Sequence, residues 1–197
     1  MDVSRGIIRA ERNLGRYALF VCFFPQIIQG PIPRYGDLAG QLYEGYRFDE
    51  KEFVKGAWLV LWGFFLKLMI ADRAGTAVNT IFGGWEAYQG VYVLVGGGLY
   101  GLELYTDFLS CVCLAKGTAL LFGIRLADNF HHPYMARSVK EFWGRWHLSL
   151  SSWLKDYVYI PLGGNRKGRC RKYGNILVTF FVSGIWHGAG YKYIFWG

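Results

Sequence analysis

Residues 91 to 124 form an apolar stretch about two membrane spans long, interrupted by only three charged side chains, Glu103, Asp107 and Lys116. A chain carrying such a stretch must bury it in a large core or in a bilayer. The composition favours the bilayer. Charged residues make up 18% of the 197, against roughly 25% in an average soluble domain, while aromatics reach 19% with 8 tryptophans and 27 glycines. Tryptophan and tyrosine suit the membrane interface, and glycine suits close helix packing. A mean hydropathy of only +0.17 requires substantial polar connections between the apolar pieces.

The remaining apolar pieces follow the same logic. Residues 53 to 70 are long enough to span, with Lys55 and Lys67 near the ends where their stems can snorkel, and Asp72 and Arg73 close the run. Residues 18 to 33 are apolar but contain Pro25, Gly30, Pro31 and Pro33, so a broken segment is expected, tolerable at membrane depth only where it lines protein or a cavity. Residues 1 to 17 place Arg5, Arg9, Arg12 and Arg16 on one helical face and Val3, Ile7, Ala10, Leu14 and Tyr17 on the other, the pattern of a helix lying in the interface. Within 91 to 124, Gly96, Gly97, Gly98 and Gly101 read as close packing, and Thr106-Asp107 reads equally as a cap between two spans or as an intramembrane functional site. The expected fold class is all-α: a polytopic membrane protein with about four to five membrane-embedded helices plus interfacial helices. Met1 opens a polar, Arg-rich segment rather than a cleavable signal peptide, and Gly197 ends on an apolar run, as in an internal piece of a longer protein.

Charge placement bears on partners. The net charge of +8 could serve nucleic acid, but five Lys/Arg and no acid lie between Arg166 and Lys172, immediately before an apolar run. That is the positive-inside pattern of a cytoplasmic loop, so the expected partner is the lipid bilayer and not nucleic acid. The four cysteines, Cys22, Cys111, Cys113 and Cys170, form no C-x-x-C pair, and His131 and His132 have no partners at ligand spacing, so neither a disulfide framework nor a metal site is expected.

Two further histidines stand in more suggestive settings. His147 lies on residues 141 to 165, expected to be a re-entrant or interfacial segment, in which Trp143, Trp146, Leu150, Trp153, Leu154 and Tyr157 would share one helical face. His187 lies within residues 173 to 196, expected to be a span, flanked by Gly184 and Gly188 at small-x-x-x-small spacing. Counted from Lys172, it sits about 22 Å along a helix, deep within a hydrocarbon core of about 30 Å. Desolvation favours a neutral imidazole, which can take a proton from a hydroxyl. A packing histidine hydrogen-bonded to a neighbouring helix satisfies the same pattern. No nucleophile elbow or catalytic cysteine context accompanies either residue.

The wording of these segments adds a resemblance. Glu141-Phe142-Trp143-Gly144-Arg145-Trp146-His147-Leu148-Ser149, Ile160-Pro161-Leu162-Gly163-Gly164-Asn165-Arg166 and Gly184-Ile185-Trp186-His187-Gly188-Ala189 resemble the signatures of the membrane-bound O-acyltransferase family. Phe23-Phe24-Pro25-Gln26-Ile27-Ile28-Gln29-Gly30-Pro31 is similar to its broken helix, and Ala127-Asp128-Asn129-Phe130 with Pro133-Tyr134 also fits. The Ile-Pro-Leu-Gly-Gly-Asn-Arg phrase is similar to the alginate O-acetyltransferase branch, with the teichoic acid D-alanyl transferases as near relatives. By motif, His187 matches the family's catalytic histidine and His147 its second functional histidine. Trp186, Asn165, Arg166 and Asp107 become candidate substrate-binding residues.

The resemblance implies an acyl group, acetyl in this branch, moved from a thioester donor such as acetyl-CoA or an acyl carrier protein to hydroxyls of an extracytoplasmic polysaccharide, directly or through an acetylation partner protein. It implies a multi-pass protein of the bacterial plasma membrane, with no metal and no bound cofactor. The chain departs from the family at Gly144, where a second arginine is usual, and after Asp107, where the family's later acid is replaced within Leu109-Ser110-Cys111-Val112-Cys113. A transporter or channel built on Glu103, Asp107 and Lys116 is the reading from a different class.

Overall fold

The computed structural model describes residues 1–27, 29–188 and 190–196. The described residues form helices and turns, with no strand among them. The chain divides into two units, Met1–Asn129 and Phe130–Gly197.

The first unit is built on two long helices. Helix α4 (Glu50–Phe65) starts where Asp49 accepts hydrogen bonds from the backbone N–H groups of Lys51 and Glu52, at 2.9 and 3.2 Å. It passes through a wider π-helical turn, Leu66–Ala71, into α5 (Asp72–Gly83), giving 34 continuous helical residues. The expected end at Asp72 and Arg73 is therefore corrected: Asp72 continues the helix because Lys67 pairs with it at 3.0 Å, and the glycine-rich turn comes after Gly83. Helix α6 (Val91–Leu121) is one helix of 31 residues, about 46 Å long at 1.5 Å per residue, so the stretch expected to hold about two spans holds one. Thr106 does not cap a second helix; its hydroxyl bonds back to the Leu102 carbonyl at 2.8 Å inside the continuous one. Glu50–Gly83 and Val91–Leu121 are the two helical stretches long and apolar enough to cross a membrane.

Small residues let α4 and α6 meet. Gly56 and Gly117 face each other, and seven residues along, Gly63 faces the Ser110 carbonyl and the Leu114 side chain. The closest approach is thus not at the Gly96-Gly97-Gly98 run, where Gly97 and Gly98 face open space and only Gly96 packs, against Ile81 and Phe82. Two lysines within the long apolar helices, Lys67 and Lys116, are paired with aspartates. Lys67 bonds Asp107 at 2.6 Å, Glu103 packs over Gly75, and Lys116 pairs with Asp128. Beyond Leu121 the helix ends in a Schellman turn: Gly123 adopts φ +73°, its N–H bonds the Leu120 carbonyl and that of Ile124 the Ala119 carbonyl, both at 2.9 Å. The Tyr46 ring covers Gly123 so closely that a side chain there would collide with it.

The N-terminal part differs from expectation. Helix α1 (Leu14–Val21) begins only at Leu14, where Asn13 caps it by accepting from the Arg16 N–H at 3.1 Å. Residues 1 to 13 are turns and extended chain, with Gly6 at φ +70°, so no amphipathic helix covers 1 to 17. The break expected in 18 to 33 is present: α1 stops, and α2 (Phe24–Ile27) lasts one turn before the prolines. Helix α3 (Tyr35–Tyr43) then buries Leu38 against Phe23, Ala119 and Ile124.

The second unit contains α7 (Val139–Trp143), α8 (Leu148–Leu154) running into a π-helical turn Lys155–Tyr159, α9 (Arg169–His187) and α10 (Tyr191–Trp196). The single amphipathic helix expected over 142 to 158 is broken between Trp143 and Leu148, because His147 takes a left-handed backbone, φ 46°. The span expected over 173 to 196 is also broken. Helix α9 begins earlier, at Arg169, and ends at His187, where Gly188 is so closely approached by the Tyr193 ring that a side chain would not fit.

Candidate functional site

Both histidine phrases fall in the second unit, and Trp186 joins them. Its indole meets His147 edge-on, ring centroids 6.2 Å apart, and meets its own neighbour His187 at 4.9 Å with the planes at 83°. His147 is the more buried imidazole, 6% exposed, while His187 is half-buried at the C-terminal end of α9. The break at Gly188 puts His187 at a helix end rather than within one continuous helix over 173 to 196. Trp186 itself is 50% exposed, so the ring that both imidazoles meet remains partly open. His147 lies in the turn before α8, outside the two spanning helices. Burial pushes its pKa down to about 4, with the proximity of His187 as a second, smaller cause. At neutral pH it is an uncharged ring able to accept a proton.

The backbone at His147 is unusual. Among the described residues only His132 and His147 take positive φ without being glycine, 47° and 46°. Such a conformation costs on the order of 1–3 kcal/mol and persists where surrounding structure over-determines it. Here the surroundings are plain. The Trp146 ring, itself buried, stacks on Phe142 at 5.6 Å and meets Phe130 edge-on at 5.0 Å. The Trp146 N–H bonds the Phe142 carbonyl at 2.9 Å, and the Trp146 carbonyl accepts from the Ser151 hydroxyl at 3.1 Å.

Helix α7 is fixed by a capping pair: the Ser138 hydroxyl accepts from the Glu141 N–H at 3.1 Å, and Glu141 accepts from the Arg137 N–H at 2.8 Å. That second bond is the main cause holding the Glu141 carboxyl below its usual range. Arg145 then donates to Glu141 at 2.5 Å and to the His132 carbonyl at 3.3 Å, while its own carbonyl accepts from His131 at 2.9 Å.

The other predicted site residues are placed differently. Asn165 and Arg166 are exposed on the turn between the Tyr159 end of the π-helical segment and α9. That turn is anchored by a residue the motifs did not single out: buried Asn175 donates to the Gly164 carbonyl at 2.8 Å. A polar residue opening an apolar run was the available signal. Asp107 belongs to the first unit, where Lys67 holds it. Ala189, part of the second histidine phrase, lies outside the described residues, as does Ile28 of the broken segment. Among the described residues no cluster of three or more His, Cys, Asp or Glu could hold a metal ion.

The model of "MBOAT, membrane-bound O-acyltransferase family" matches residues 9–197. A Pseudomonas putida protein named "Probable alginate O-acetylase AlgI" is 42% identical over 197 residues, covering 100% of this chain and 40% of the relative. A Helicobacter pylori peptidoglycan O-acetyltransferase is 37% identical over 183 residues, covering 92% of this chain and 35% of its own. A Bacillus subtilis teichoic acid D-alanyltransferase is 30% identical over 210 residues, covering 100% and 52%. The chain spans about two fifths of the length of the alginate relative it matches.

Proposed function

The chain belongs to the membrane-bound O-acyltransferase family, and from that premise we propose that it forms part of an O-acetyltransferase acting on a cell-envelope polysaccharide. The observation that carries the reading is that the imidazoles of His147 and His187 both meet the Trp186 indole edge-on. In the proposed reaction His187 takes the proton of an acceptor hydroxyl as the oxygen attacks the carbonyl of an acetyl thioester. The C–S bond breaks, and the departing thiolate receives a proton, so the imidazole returns to its neutral state. Buried, neutral His147 lies against the same indole and serves as the second imidazole, orienting the acceptor or the thioester. No covalent acyl-enzyme is needed, because positioning of hydroxyl and carbonyl supplies the advantage.

Acetyl transfer to an alginate-like or peptidoglycan-like polymer is favoured over D-alanyl transfer by the higher identities, 42% and 37% against 30%. The donor is a thioester on CoA or a carrier protein, delivered from the cytoplasmic side, where the cations of 166 to 172 would lie. Asn165 and Arg166, exposed on the turn before α9, are proposed to contact the donor. A transporter is disfavoured by the internal pairing of Lys67 with Asp107 and Asp72, which leaves those charges engaged with one another.

The test is replacement of His187 by Ala in the full-length protein, with ester-linked acetate on the exported polymer as the readout. Near-complete loss at unchanged protein abundance is expected. Undiminished acetate would overturn the reading.

A further inference from the structure

The segment that leads into the left-handed turn at His147 is held by the side chain of Arg145. Arg145 stands two residues before His147, and its guanidinium reaches the Glu141 carboxylate at 2.5 Å on one side and the His132 carbonyl at 3.3 Å on the other. Its backbone carbonyl accepts from the His131 N–H at 2.9 Å, so the segment before Pro133 is held to the turn by both main chain and side chain. His132 is the other non-glycine residue with positive φ, 47°. One guanidinium therefore bridges a carboxylate on α7 and a carbonyl in one strained residue, two positions ahead of the second strained residue. Arginine suits this task because its planar fork can engage two acceptors at a fixed angle, which a lysine ammonium on a flexible stem does less well.

The geometry points to Arg145, held by Glu141, as the positioning residue that fixes the left-handed turn at His147 and so the orientation of its imidazole against Trp186. This rests on the proposed acetyl transfer and adds a residue to it. Arg145 is 27% exposed at its side chain and Glu141 35%, so the pair lies at the rim of the aromatic cluster around Trp146 rather than inside it. That placement matters. Loss of the clamp should leave the cluster of Phe130, Phe142 and Trp146 packed while loosening the turn that follows it. Strained backbone maintained by dedicated contacts is the pattern that marks pre-organised sites.

The test uses the full-length protein, with ester-linked acetate on the exported polymer normalised to protein abundance. Arg145→Ala should lower acetate at least tenfold, and Arg145→Lys should fall between it and the parent. The distinguishing measurement is second-site relief. Glycine adopts positive φ without strain, so His132→Gly introduced into Arg145→Ala should raise acetate at least threefold over Arg145→Ala alone. A purely structural role for Arg145 would show no such relief.

Acetate within twofold of the parent in Arg145→Ala, or no gain in the double variant at equal abundance, overturns the inference. Should Arg145→Ala fail to accumulate, Glu141→Gln decides. A threefold to tenfold loss supports the clamp, whereas a loss under twofold or failure to accumulate assigns the pair to folding and overturns it. His187→Ala, run alongside, separates the two readings: if it retains acetate, the proposed function falls, and if only Arg145→Ala retains it, the clamp alone falls.

Discussion

Gly56 and Gly117 face each other so closely that a Cβ on Gly56 would lie 2.9 Å from the Gly117 carbonyl oxygen, and one on Gly117 would lie 2.8 Å from that of Gly56. Neither obstacle is a flexible side-chain tip; both are backbone. The two helices can take this separation only while both positions lack a side chain, which is how small residues serve helix pairs in apolar surroundings. Gly117→Ala is therefore expected to destabilise the protein by about 1–3 kcal/mol through overpacking. Gly97→Ala, on the same helix but with nothing within 4 Å, should be neutral or stabilising by up to about 1 kcal/mol through helix propensity. Thermal unfolding of the detergent-solubilised protein compares the two. Equal midpoints would mean that the α4–α6 contact does not set the helix separation.

His147 predicts a pH dependence with a definite sign. Its imidazole is buried and its pKa is lowered to about 4, chiefly by burial, whereas an unfolded histidine titrates near 6.5. The folded state thus resists a proton that the unfolded state accepts. Stability is fully present above about pH 6.5 and is lost progressively as pH falls toward 4, a total on the order of 3 kcal/mol from this group. His147→Asn, chosen because asparagine tolerates left-handed backbone, should flatten this part of the profile. Thermal midpoints measured from pH 7.5 to pH 4.5 for parent and variant provide the comparison. Parallel profiles would show that His147 is not the group responsible.

The apolar runs and the prolines made the broad plan legible: helices over most of 53 to 70 and 91 to 124, and a break around Pro25. What stayed hidden depended on tertiary partners. Asp72 looks like a helix end by itself, yet Lys67 pairs with it within the continuing helix. Thr106-Asp107 looks like a cap, yet the threonine bonds back to Leu102 and the aspartate reaches Lys67 on another helix. Four arginines at helical spacing suggested a helix over 1 to 17, but spacing alone does not overcome Gly6 and the asparagine cap at position 13.

The site divides in the same way. The two histidine phrases announced themselves through their motifs. That His147 and His187 would meet the same Trp186 indole depends on tertiary placement, which the motifs do not carry. Glu141 and Arg145 did carry a signal, four-residue spacing behind the Ser138 cap, that the motifs overshadowed.

The Lys67 ammonium lies between Asp107 at 2.6 Å and Asp72 at 3.0 Å, at the point where the helix widens. Replacing both Lys67 and Asp107 with apolar residues is expected to cost little, because it also removes two charges from apolar surroundings. Breaking the pair asymmetrically is a different matter, because Lys67→Met leaves two carboxylates facing one another beside an apolar helix. That single change is expected to destabilise more than Asp107→Asn, which keeps an acceptor for Lys67. The combination Lys67→Met with Asp107→Leu should recover part of the loss, since replacing both partners removes one unpaired charge. Thermal midpoints of the three variants test the order. A double variant less stable than Lys67→Met would contradict it.

Asn175 anchors the turn that carries Asn165 and Arg166, and it does so through one buried bond to the Gly164 carbonyl. Gly163 and Gly164 take positive φ, 106° and 54°, so the turn already needs a backbone that most residues avoid. Asn175→Ala removes the donor and leaves a buried carbonyl without it, at a cost of about 1–3 kcal/mol. Because the lost bond joins the turn to the second turn of α9, the local consequence should exceed the global one. Trypsin provides the measurement, since Arg166 and Lys167 stand exposed on that turn. Cleavage after these residues in the full-length protein is expected to accelerate several-fold in Asn175→Ala, and at least as much in Asn175→Asp, which keeps the shape of the side chain but sets an acceptor against the Gly164 carbonyl. If both variants are cut at the parental rate, the Asn175 bond does not hold the turn.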